Sequence, residues 1–376
     1  MSYKDIKTHA CSFQGRAEIS TFGTPTTNAM MRFEESELKA LALHKVGNKS
    51  ADEGVVLSSK LLEAGDVIKH LLLQYFLSPF RSEELYNFAH PSELDMNEVY
   101  HYASAIFENP GCLLEQSQNL AQHLYRQSTH PKIKNGEFYV AFFENCRIND
   151  ETVNAIGLFK SESRETYLKI YPVSGSFEIG HDDGININKL DKGCLIFNTG
   201  RDDGFAVAIV DTLNKGSEAQ YWRDNFLQVT PRADNYHNTR TVMDLCKKFV
   251  TDKLPQDFEV SRADQADMLN RSMKFLKENE SFEMEEFNEQ VLSAPAIINS
   301  FSEYKNQFGK DYDLDIPENF QISESAVKSQ SRFMKSVIKL DKNFHIYIHG
   351  EKQMVEKGYD EVKQLNYYKL FFKEEN

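Results

Sequence analysis

Val67, Ile68, Leu71, Leu72, Tyr75 and Phe76 recur at the spacing that lines one wide face of an α-helix. Ahead of that stripe, residues 38–46 and 55–57 read as strands. Two further helices are predicted over 97–107 and 113–125, parted by Pro110 and Gly111. A β-rich block follows, with strands expected at 138–143, 155–159, 167–173, 185–187, 195–197 and 205–210. The intervals between these strands are too short for crossover helices, so hairpins and a mostly antiparallel sheet are expected. Residues 206–210 are apolar at every position, which requires both faces of their strand to be covered. The preceding helices are the simplest cover.

Beyond Pro231 the period changes to that of helices. Val242, Leu245, Cys246, Phe249 and Val250 share one face, and helices are predicted over 263–276, 283–292 and 297–308. Ser261 is placed to cap the first of these, with Asp264 at its third position. A last helix is expected over 324–335. Strands at 337–340 and 344–348 follow, joined by a turn at Asp341-Lys342-Asn343, with a final strand at 367–372. The start of the chain is polar and then Thr-rich around Gly23 and Pro25, which suits an extension over 1–32. The predicted class is therefore α+β. Residues 33–234 would form an antiparallel sheet with covering helices, and residues 235–376 a mainly helical domain ending in a small β-sheet.

Hydrophobic residues make up 40% of the 376 positions, enough for real cores, yet no apolar run approaches the roughly 20 residues of a membrane span. The N-terminus lacks the apolar segment of a secretion signal, so a cytoplasmic location is expected. Five cysteines, Cys11, Cys112, Cys146, Cys194 and Cys246, lie far apart without a Cys-x-x-Cys pair, the pattern of free thiols. A net charge of −14 opposes any role that coats phosphate by bulk electrostatics. The acidity is uneven. Residues 321–376 hold ten Lys and Arg against eight Asp and Glu, a balance of +2, which leaves −16 for residues 1–320.

A nucleic-acid surface must then be local, and the chain's end offers one. Lys328, Arg332 and Lys335 are spaced to share a helical face, and Lys339 and Lys342 continue the run into the following hairpin. Clustered, flexible cations of this kind displace counterions from phosphates. A solvated helix face has the same composition. Phe333, Phe344 and Tyr347 lie among the cations, as either base-stacking or core residues. Asp182-Asp183-Gly184 and Asp202-Asp203-Gly204 would suit a metal-dependent nuclease if brought together, and would equally suit tight turns. Asp311, Asp313 and Asp315 open like a calcium loop, but Ile316 and Ile322 stand where glycine and glutamate are needed. His345 and His349 would be about 13 Å apart on a strand, too far to share an ion. Glycine-rich phosphate loops, nucleophile elbows and zinc-finger spacings are absent.

Several stretches resemble the NdpA type of bacterial nucleoid-associated protein. They are His44-Lys45-Val46-Gly47-Asn48, residues 138–145 with Ala155-Ile156-Gly157-Leu158-Phe159-Lys160, residues 188–198, Tyr221-Trp222 with Phe226-Leu227, and Phe301-Ser302-Glu303-Tyr304. The likeness runs from about residue 38 to 350. It implies a nucleoid location, association with DNA, most simply duplex, and self-association as a homodimer. It supplies neither catalytic residues nor a cofactor, so a non-enzymatic binding role is expected. The alternative is a protein-interaction role, with the acidic surface docking on topoisomerases or other chromosome proteins.

Overall fold

The computed structural model describes residues 30–213, 221–334, 337–341, 344–347 and 355–374. Lys335 and Lys342 fall outside them.

A nine-stranded sheet organises the first part of the chain. Its strands are β1 (Met31–Arg32), β2 (Glu37–Val46), β3 (Val55–Val56), β4 (Tyr86–Phe88), β5 (Gly136–Ile148), β6 (Glu151–Ser161), β9 (Lys192–Phe197), β10 (Ala206–Asp211) and β11 (Val229–Pro231). Between β6 and β9 the chain makes β7 (Glu165–Val173) and β8 (Ser176–Gly184), which pair only with each other. The main sheet runs β11-β4-β10-β9-β6-β5-β2-β3, with β1 beside the end of β5, and its pairings are antiparallel.

Both faces of this sheet are covered, as the unbroken apolar strands require. Helices α2 (Glu98–Glu108) and α3 (Leu113–Gln127) pack on Val140, Ile156, Leu158, Cys194 and Val207. Alternate residues Ala141, Phe143, Phe159, Leu195 and Ala206 face the other way, towards α1 (Asp66–Leu77). There the Phe76 ring stacks on Phe159, centroids 4.2 Å apart. A π-helical stretch, Tyr221–Leu227, adds Trp222 and Phe226 to the first core.

From Asn235 onward helices form a separate hydrophobic core: α4 (Asn235–Lys248), α5 (Leu254–Asp257), α6 (Arg262–Glu278), α7 (Met284–Phe287), α8 (Pro295–Tyr312) and α9 (Glu324–Gln330). The ribbon of β12 (Ser281–Glu283) and β13 (Asn319–Gln321) brings Phe282 over Phe320 in this core. The capping box at Ser261 and Asp264 forms in both directions. Ser261→Ala is expected to cost about 1 kcal/mol, measured by chemical denaturation. Hairpins β14 (Val337–Leu340) with β15 (Phe344–Tyr347), and β16 (Val355–Asp360) with β17 (Leu365–Leu370), close the chain. Ile338 packs on Ala263 and Ala266 of α6.

The observed elements depart from the sequence reading in several places, the short strands β4, β11, β12 and β13 among them. Met31 and Arg32, at the end of the expected extension, pair with Ile148 and Arg147. The strand expected at 185–187 is instead β8, ending at Gly184. Strand β16 is additional. Helix α9 stops at Gln330, with 331–333 turning away, so the last helix is seven residues long instead of twelve.

Candidate nucleic-acid interface

The expected cationic stripe is partly re-formed from different elements. Lys328 lies on α9, whereas Arg332 follows it in the turn, and both are exposed. Lys339 sits on β14 opposite His345. The guanidinium of Arg332 covers the Phe333 ring at 4.6 Å, and the ammonium of Lys247, from the last turn of α4, approaches the same ring at 5.7 Å. Phe333 remains 48% exposed between them. Among the described residues, Lys247, Lys328 and Arg332 form no salt bridge. The neighbouring cleft, lined by Lys277 and Lys328 together with Glu278, Glu280 and Glu324, carries more carboxylates than ammonium groups. Among the described residues, Lys247 and Arg332 flank Phe333, and Lys328 stands among this cleft's carboxylates. Lys247 was not legible as a site residue, since only tertiary packing brings α4 to Phe333.

A second arrangement is buried. Lys160 is the penultimate residue of β6 and Lys192 begins β9, opposite each other in register, and both side chains are fully buried. Lys160 Nζ lies 2.9 Å from Glu162 Oε1 and donates to the Lys134 carbonyl at 2.9 Å. Lys192 Nζ lies 2.8 Å from Asp211 Oδ2. Both ammonium groups face the Tyr221 ring, at 5.9 and 5.2 Å, and the Tyr221 hydroxyl donates to Glu162 at 3.1 Å. Burial lowers the pKa of Lys160, an effect opposed by Glu162, and raises that of Tyr221 well above its ordinary value. Asp191 Oδ2 accepts from the backbone N–H groups of Glu162 and Ser163, at 2.6 and 2.7 Å. These residues flank the root of the β7–β8 ribbon on both sides.

The stretch His44 to Asn48 is also structural. His44 is buried, accepting from the Ser58 N–H at Nδ1 (3.1 Å), with Nε2 2.8 Å from Ser117 Oγ. That pattern leaves the imidazole proton on Nε2. Burial pushes its pKa down to about 4. Asn48 donates to the carbonyls of His130 and Ile133 at 2.9 and 2.7 Å, tying two loops together. A Cβ on Gly47 would stand 2.5 Å from Glu53 Cβ and 2.8 Å from the Gly54 carbonyl oxygen, so only glycine lets this turn close.

The family model of the nucleoid-associated protein YejK matches residues 42–365, most of the chain. The chain belongs to this nucleoid-associated protein family. No curated protein matches it significantly. Membership supports a nucleoid-associated role and nucleoid location. The matched span takes in both large cores and the buried lysines. His44, Lys160 and Lys192 lie within this matched span and are buried in the fold described above. No helix among the described residues is long and apolar enough to cross a membrane.

The acidic motifs separate in this fold. Asp182 pairs with Lys169 and Asp183 accepts from Thr166, both on the β7–β8 ribbon, while Asp202 and Asp203 form a tight turn flanked by Gly200 and Gly204. Among the described residues, no three potential metal ligands converge. Cys112, Cys146, Cys194 and Cys246 are free thiols. Burial raises the pKa of Cys146 to about 11 and moves Cys194 and Cys246 in the same direction, which suppresses thiolate reactivity.

Proposed function

We propose that this chain binds duplex DNA of the nucleoid through the cationic face of its C-terminal region, without catalysing a reaction. The observation that carries the reading is the exposed Phe333 held between Arg332 and Lys247, with Lys328 one turn earlier. Among the described residues these cations have no salt-bridge partner, in a chain of net charge −14. Lys335, Lys339 and Lys342, which follow in the sequence, are proposed to contribute further phosphate contacts. Unpaired cations beside an exposed ring suit phosphates, while acidic surfaces elsewhere limit indiscriminate coating. In this proposal residues 1–32 are an extension, 33–234 the sheet domain and 235–376 the DNA-facing domain. The chain works in the cytoplasm as a homodimer and needs no cofactor. The experiment is titration of labelled duplex DNA with wild type and the Lys247→Ala/Lys328→Ala/Arg332→Ala variant at low salt. At least a tenfold loss of affinity is expected, and equal affinity would refute the assignment. Intact DNA after incubation with divalent metals is expected, and degradation would favour a nuclease. Binding to topoisomerases by a wild-type chain that itself has no DNA affinity would favour the protein-interaction reading.

A further inference from the structure

Arg32 on β1 and Arg147 on β5 stand directly opposite each other, and Thr152 of β6 is paired in turn with Arg147. Residues paired across antiparallel strands share a face, so the three form one row. The row lies on the face that α2 and α3 cover further along the sheet, because Thr152 and Asn154 alternate in step with Ile156 and Leu158. Both arginines are half-buried.

Opposed Cα atoms of antiparallel strands are roughly 4.5–5.5 Å apart, and like charges placed there repel. Among the described residues neither arginine has a salt bridge or a side-chain hydrogen bond, and the Nε of each is shut off from solvent without a partner. A buried donor left unmatched is unfavourable, and here there are two. The nearby carboxylates do not compensate them. Glu144 is held by Lys39, Glu151 accepts from the Thr199 hydroxyl on the other face, and Glu34, Glu35 and Asp150 in the adjoining turns form no ion pair with either arginine. In a chain with 57 acidic residues, this pair is left open to an anion from outside.

Beside the row lies a pocket of about 340 Å³ lined by Asn145, Thr152, Val153, Asn154 and Asn198. Thr152 belongs to both. A bulge in β5 between Phe143 and Cys146 sets Asn145 there with φ 59°, a backbone angle that asparagine tolerates. Asn154 and Asn198 meet across β6 and the end of β9, where the Asn198 N–H donates to the Asn154 carbonyl at 2.9 Å. The side-chain amides of all three asparagines make no hydrogen bond among the described residues.

We propose that Arg32 and Arg147 bind the phosphate of a nucleotide whose base or sugar rests on these asparagines. A phosphate accepts charge-assisted bonds from two guanidinium forks at once, which turns their repulsion into attraction. Each free carboxamide offers an acceptor and two donors, the set that matches a base edge. The volume is at the small end of ligand pockets, which suits a mononucleotide unit better than a larger cofactor. The site is built wholly from the sheet, without any residue of the cationic face proposed above. Its nucleotide arrives either free or as a unit of a nucleic-acid strand, and the experiment separates the two.

That experiment is calorimetric titration of the full chain, at constant ionic strength and without DNA, with adenosine monophosphate, adenosine and inorganic phosphate. The monophosphate should bind about tenfold or more tightly than adenosine. Arg32→Gln/Arg147→Gln should weaken both the monophosphate and inorganic phosphate by about tenfold or more, whereas Asn154→Ala/Asn198→Ala should weaken the monophosphate alone. Phosphate should raise the unfolding temperature of the wild type above its value in chloride and leave that of the glutamine variant unmoved. Relieved of the repulsion, the glutamine variant should unfold no earlier than the ligand-free wild type. Arg32→Lys/Arg147→Lys, which keeps the charge and loses the forks, should fold normally and bind the monophosphate more weakly. Displacement of the monophosphate by a short duplex assigns the phosphate to a nucleic-acid strand, and binding untouched by duplex assigns a free nucleotide. Absence of binding by both the monophosphate and inorganic phosphate, or equal affinity in the wild type and the glutamine variant, would overturn the proposal. None of these readouts depends on Lys247, Lys328 or Arg332, so failure of the cationic face would leave them unaffected.

Discussion

Glu162→Gln is expected to lower folding stability by about 3–5 kcal/mol. Glu162 and Lys160 are 4% and 0% exposed at the side chain and lie 2.9 Å apart. Glutamine preserves shape and a hydrogen-bonding oxygen but removes the negative charge, leaving an ammonium group in the interior. Burial has already depressed the pKa of that ammonium. Shedding its proton at pH 7 is the remaining escape, and this limits the loss to about 5 kcal/mol. Replacing both partners, Glu162→Gln with Lys160→Met, removes the uncompensated charge and should recover most of the stability. Urea denaturation of the wild type, the single variants and the double variant forms the required cycle. A single-variant loss below about 1 kcal/mol would mean that water reaches the pair.

Acidification from pH 7 to pH 4 should remove a further 3 kcal/mol or so through His44 alone. Burial holds the folded-state pKa at about 4, against 6.5 ordinarily. Between those values the unfolded chain binds a proton that the folded chain refuses. The stability is thus complete above pH 6.5, falls as pH drops through the window, and is lost by pH 4. Protonation would also set a second ring N–H against the Ser58 N–H that Nδ1 now accepts. Buried His123 is depressed for the same reason and adds in the same direction. His44→Gln should be less stable at pH 7 and flatter across the window. A wild-type profile flat from pH 7 to 4.5 would contradict the buried neutral imidazole.

The covered sheet was legible because its strands are apolar at consecutive positions. The capping box at Ser261 was legible because it is local. Strand β8 was not: Asp182-Asp183-Gly184 reads as punctuation, and a solvent-facing ribbon tolerates acidic residues that a core strand would not. Strands β4 and β11 are three residues long, too short for a period to show. Lys160 and Lys192 stand at the ends of apolar runs, where a lysine ordinarily faces solvent. Their burial depends on Glu162, Asp211 and Tyr221, which sequence spacing does not bring together. The cationic face was half visible for the same reason. Lys328 and Arg332 are close in sequence, but helix α9 ends between them, and Lys247 joins only through Phe333.

The central claim, that an acidic protein reaches DNA through a few unpaired cations, is tested most directly by the salt dependence of duplex binding. Each cation that neutralises a phosphate contributes about 0.9 to the slope of log affinity against log salt. Replacing Lys247, Lys328 and Arg332 with alanine should therefore flatten that slope by about 3. A wild type with no measurable affinity at low salt, or a variant with an unchanged slope, would contradict it.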